Sequence, residues 1–158
     1  MIGDRGTLAA LVSAFLFPML LVAQPAPDPF TGTWKLNAQR SALPAPVPQS
    51  WVIQLDINGE TIRAREDTVG KDGRVSTVKV EARFDGRDYP VPGATDIDRI
   101  AYSRINDYTI QAVGKKNGKL VEREMITVSR DGKTLRTSYS LVSATGQRMS
   151  ATAVFDKQ

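Results

Sequence analysis

The feature that most constrains this chain is a beat of tight-turn dipeptides. Asn58-Gly59, Asp72-Gly73, Asp85-Gly86, Asn106-Asp107, Asn117-Gly118, Asp131-Gly132 and Thr145-Gly146 recur at nearly even spacing along the second two-thirds of the sequence. Asn-Gly and Asp-Gly supply the positive backbone φ that two-residue hairpin turns require. A chain punctuated in this way is built from sequential hairpins.

The runs between the turns read as strands. Trp51, Ile53, Leu55 and Ile57 alternate with Val52, Gln54 and Asp56, the period-two pattern of a strand with one buried face. From Val75 to Phe84 the residues Val78, Val80, Ala82 and Phe84 share a face, and Lys79, Glu81 and Arg83 take the other. Further runs cover 97–105, 108–115, 119–129, 133–143 and 147–155. With 32–37, 60–69 and a short piece near Tyr89, the expectation is nine or ten strands, and nothing after residue 29 has a helical period. A meander of that length leaves edges that aggregate unless it closes on itself. The short turns also leave no room for the long crossovers of a two-sheet sandwich. The expected fold is therefore an all-β, up-and-down antiparallel β-barrel.

Ahead of the barrel, residues 1–23 have a short charged start with Arg5, an apolar run from Leu8 to Ala23 and a small residue before Gln24, the anatomy of a signal peptide. A Pro-rich leader, 24–29, follows, and the barrel domain is expected over 30–158. The chain is thus expected to be exported, to the periplasm or outside the cell, with no membrane span after cleavage. It has no cysteine and no histidine. That removes disulfides, thiol nucleophiles, imidazole bases and the usual zinc or haem ligands. The net charge of +4 is spread among acids, without the clustered basic stripe that nucleic acid would need. No phosphate loop, nucleophile elbow or metal-ligand spacing is present, so the sequence implies no catalytic residues, no metal and no cofactor.

Phe30-x-Gly32-x-Trp34-Lys35-Leu36 at the first strand resembles the start of the calycins, the superfamily of lipocalins and fatty-acid-binding proteins. The ending Val154-Phe155-Asp156-Lys157 is similar to the closing strand of the fatty-acid-binding branch. Phe84-Asp85-Gly86-Arg87-Asp88-Tyr89-Pro90-Val91 resembles a stretch of small secreted bacterial lipocalin-like proteins of undetermined function. The resemblance implies that Trp34 plugs the closed end of the barrel, with Gly32 letting the chain pass beneath it. Two departures stand out. Where fatty-acid-binding proteins insert a helical lid, this chain has Pro44, Pro46 and Pro48, so the lid is absent or reduced to an extended flap. Where that family holds a carboxylate with Arg-x-Tyr, this chain has Ala153 and Phe155.

The same parity turns Met149, Ala151, Ala153 and Phe155 into the lumen, with Tyr139 on the preceding strand. On the strand from Lys119 it points Arg123 and Met125 inward. The opposite parity leaves Arg123 in solvent and turns Glu122 and Glu124 the other way. The candidate ligand-binding residues are therefore Arg123, Met125, Tyr139, Met149 and Phe155. The leading expectation is a non-catalytic barrel that binds a small apolar or amphipathic ligand. The alternative is an envelope structural or protein-interaction module whose barrel is filled by its own side chains, and the volume of the lumen discriminates between them.

Overall fold

Backbone conformation at the turns follows the sequence. Asn117 and Gly118 have φ of 51° and 74°, both positive as a tight hairpin turn requires. A computed structural model describes residues 27–142 and 146–158, so the segment 1–23 and Thr145 lie outside the described residues. The strands are β1 (Gly32–Leu36), β2 (Ser50–Asn58), β3 (Thr61–Val69), β4 (Val75–Arg83), β5 (Tyr89–Pro90), β6 (Arg99–Asn106), β7 (Thr109–Lys116), β8 (Lys119–Val128), β9 (Thr134–Val142) and β10 (Arg148–Lys157). They form one antiparallel sheet in the order β4-β3-β2-β1-β10-β9-β8-β7-β6-β5. The first and last strands pair, Trp34 opposite Lys157 and Leu36 opposite Phe155. Closure is nearly complete. β5 pairs only with β6, and β4 has ladder bonds only to β3. Val91, which is buried, together with Phe84 and Tyr89, packs into the core beside that seam.

One end is closed. Phe30 and Trp34 are fully buried there, and further along the interior Phe155, Ile62, Ile110 and Leu135 are no more than 1% exposed. The segment before β1 is fixed across this end by Asp28, whose carboxylate pairs with Arg104 at 2.6 Å, and by Thr31, whose Oγ1 accepts from the Ile57 amide at 3.1 Å. The Trp34 indole N–H donates to the Phe30 carbonyl at 2.9 Å, so the ring fills the taper without stranding its polar atom. Gly32 has φ of +143°, and a Cβ there would lie 2.7 Å from Lys157 Cε. The Lys157 ammonium passes Gly32 to reach the Trp34 face, 4.9 Å from the ring centroid. Glycine is required by both the backbone angle and the passing side chain.

Between β1 and β2 there is no helical lid. A three-residue 3-10 turn, Ala38–Arg40, is followed by Ala42, which bridges to Thr152 on β10. Asn37 and Arg40 both bind the Asp156 carboxylate, at 2.7 and 2.9 Å. The connection is thus stapled to β10, covering Val154 on its outer side. The proline run then carries the chain to β2 without helix. No described helix is long and apolar enough to cross a membrane.

Candidate ligand-binding lumen

The inward faces of three strands bring carboxyl groups into the half of the barrel away from the Trp34 plug. On β3, Ile62 and Ala64 are buried, and the same face continues to Glu66. On β8, Val128 is buried opposite Leu135. Two-residue steps from it place Ile126, Glu124 and Glu122 on the inner face, with Glu124 directly opposite Tyr139 on β9. Tyr102 enters from β6 and is 5% exposed. Glu66, Tyr102, Glu124, Thr137 and Tyr139 border an internal cavity whose remaining wall is aliphatic, including Ile53, Ile110 and Ile126. The cavity measures about 30 Å³. That is room for one or two water molecules.

Parity decides where the expected site residues stand. Arg123 and Met125 are on the outer face of β8, Met125 with 38% of its surface exposed. The placement of these two in the lumen is therefore corrected. β8 is pinned by its register with the buried face of β9, and a one-residue shift would turn Val128 out of the core. Met149 keeps the parity of Ala151, Ala153 and Phe155, but it sits near the open end of β10 and is 46% exposed, so it is a rim residue instead of a lumen wall. Tyr139 lines the cavity. Phe155 is fully buried and meets the edge of Trp51, with ring centroids 5.3 Å apart. Trp51 also stacks on Tyr139 at 6.2 Å.

Sequence reasoning missed Glu66, Tyr102 and the role of Trp51, and it turned Glu122 and Glu124 to this face only under the alternative parity of β8. The signal was present: Glu66 lies two residues beyond Ala64, and Glu124 two residues before Ile126, on faces whose other members are core.

The electrostatics of this half are one-sided. Among the described residues, no lysine or arginine forms an ion pair with Glu66, Glu122 or Glu124. Burial raises the Glu66 carboxyl from an ordinary 4.5 to about 7; the Trp51 indole N–H, donating to it at 3.2 Å, opposes the rise, and the nearby Glu122 adds to it. Burial also drives Glu124 well up, helped by its hydrogen bond with Glu122 and by the charge of both neighbouring carboxyls. The Tyr102 and Tyr139 hydroxyls are pushed well above 10 by burial and by the same acids. Near neutral pH the cluster therefore presents a partly ionised Glu66 and two neutral phenols, beside a Glu124 carboxyl that burial and its acidic neighbours hold back from ionising. The inward cations are elsewhere. Arg104 is paired with Asp28 and lies over the Phe30 and Phe84 rings, and Lys157 lies over Trp34, all at the closed end.

Outside the lumen, beside Trp51, a surface groove of roughly 700 Å³ runs between Pro46, Pro48, Thr68 and the β3–β4 turn. Trp51 therefore stands between an apolar groove and the acidic lumen, with its N–H on Glu66.

The overall fold is similar to that of solved structures. The fold is calycin-like. A Schistosoma mansoni fatty-acid-binding protein in complex with arachidonic acid superposes with a TM-score of 0.56 at 9% identity, over 82% of this chain and 96% of that one. A zebrafish ileal bile-acid-binding protein complexed with cholic acid superposes with a TM-score of 0.53 at 15% identity, over 82% of this chain and 99% of that one. At these identities the likeness is one of fold. No protein-family model and no curated protein matches the sequence.

Proposed function

We propose that this chain is an exported, non-catalytic barrel that holds a small apolar or amphipathic molecule in the open half of its lumen. The observation that carries the reading is a few polar groups converging in an otherwise apolar barrel, with no cation among the described residues paired to neutralise them. Ligand sites have that composition: apolar walls with a small number of placed polar atoms. Leaving carboxyls half-buried and unpaired costs stability, and core packing alone gives no reason to keep them. The two calycin structures hold arachidonic acid and cholic acid, which supports a barrel used for binding. Export rests on the composition of residues 1–23. The non-catalytic reading rests on the lack of a histidine or cysteine, and of a phosphate loop or nucleophile elbow, in the sequence.

A second reading, a structural or interaction module with a self-filled barrel, is favoured by one observation. The enclosed space of about 30 Å³ is far below the few hundred Å³ of a pocket for a drug-sized ligand. Under the binding reading, this space therefore takes only one end of the ligand, and the rest lies beyond it. Native mass spectrometry of protein purified from its own host, with titration of a polarity-sensitive fluorescent probe, separates the two. A co-purifying small molecule, or one probe taken up per chain, supports binding. Bare protein that takes up no probe supports the self-filled barrel.

A further inference from the structure

We infer that the molecule this barrel takes is an amphipathic amine, with its cationic head on the Glu66–Glu122–Glu124 cluster and its apolar body along Trp51 toward the groove at Pro46 and Pro48. The inference rests on the binding reading above and names the ligand class. Three independent observations meet at one place. The first is charge: three carboxyls share the lumen, and the nearest inward cations are committed at the closed end to Asp28 and to aromatic faces. An anionic head would be repelled here, a neutral one would gain hydrogen bonds alone, and a cationic one gains both hydrogen bonds and charge.

The second is an unused polar group. Tyr102 is 5% exposed, and its hydroxyl opens onto the cavity with no hydrogen-bond partner among the described residues. It is placed to accept from an ammonium N–H. The third is size and surface. A cavity of about 30 Å³ fits an ammonium head and excludes a long chain, whereas the neighbouring groove of roughly 700 Å³, mainly apolar with Lys71 and Asp72 also in its wall, accommodates one. Trp51 lines the groove and touches Glu66 and Tyr139 of the cavity wall, and its indole, stacked with Tyr139, offers π-faces to a passing cation.

Calorimetric titration of the full chain at pH 7.5 with decylamine, decan-1-ol and decanoic acid, each below its aggregation limit, tests the inference. The expected result is decylamine at least tenfold tighter than decan-1-ol, with decanoic acid weakest. In the Glu66→Gln/Glu122→Gln double variant the amine's advantage should fall to less than threefold while decan-1-ol binding persists, which also shows that the variant is folded. Equal affinities, tightest binding of decanoic acid, or an amine preference that survives in the double variant overturns the cationic assignment and leaves the binding reading standing. No measurable binding of any of the three overturns both.

Discussion

Replacing Glu66 with glutamine isolates the cost of the acidic lumen. In the folded chain the Glu66 carboxyl is raised from an ordinary 4.5 to about 7, chiefly because the barrel wall strips it of water. A rise of that size corresponds to about 3 kcal/mol of folding free energy. The sign follows from proton uptake. Between pH 4.5 and about 7 the folded chain keeps a proton that the unfolded chain has lost, so stability is full below pH 4.5 and declines as pH rises through 7. Glutamine removes this dependence and still offers an oxygen to the Trp51 indole. Glu122, Glu124, Tyr102 and Tyr139 face the same space in both proteins and largely cancel in the difference. Asp67, Asp85 and Asp131 have lowered values that act with the opposite sign only at more acid pH. Urea unfolding of both proteins at intervals from pH 4.5 to 8.5 gives the quantity directly. The wild-type free energy minus that of Glu66→Gln should fall by about 3 kcal/mol across the range. A difference constant to within about 0.5 kcal/mol would refute the claim that Glu66 is held desolvated and unpaired.

Other consequences follow from the same structure. Trp34→Ala empties the closed end and should cost about 3–5 kcal/mol in urea unfolding; a loss below about 1 kcal/mol would mean that the ring is not the plug. Gly32→Ala should cost about 1–3 kcal/mol from its backbone angle and from Lys157, with Lys157→Ala restoring only part, and full restoration by the second change would remove the backbone from the explanation. Arg123→Ala and Met125→Ala change exposed positions and should each stay within about 0.5 kcal/mol of wild type, with decylamine affinity unaltered; a tenfold loss of affinity in either would return that side chain to the lumen.

How much of this was legible in the sequence depended on whether one strand face differed from the other. β2 alternates cleanly, so Trp51, Ile53, Leu55 and Ile57 declare their side, and the Asn-Gly and Asp-Gly turns fix where neighbouring strands fold back. The barrel follows from these signals. β8 carries apolar and charged residues on both faces: Val121 and Met125 on one, Glu122, Glu124 and Ile126 on the other. Local pattern cannot rank those faces, and parity borrowed from a resemblance chose the wrong one. What settles the choice is non-local, the pairing of Val128 with Leu135 and of Glu124 with Tyr139. The acidic site was hidden for a related reason: its members lie on β3, β6, β8 and β9, and only closure of the sheet makes them neighbours. The Pro44–Pro48 run, by contrast, ruled out a helical lid on local grounds, and the described connection contains no more than a single 3-10 turn.

Methyl-resolved NMR during titration with decylamine tests the central claim, a ligand held inside the barrel, most directly. Shifts are expected to concentrate at the inward methyls of Ile53, Ile62, Ile110, Ile126 and Leu135, with little change at Val75, Ile105, Leu120 and Met125. Shifts confined to that second, exposed set, with the lumen methyls unmoved at saturation, would contradict it.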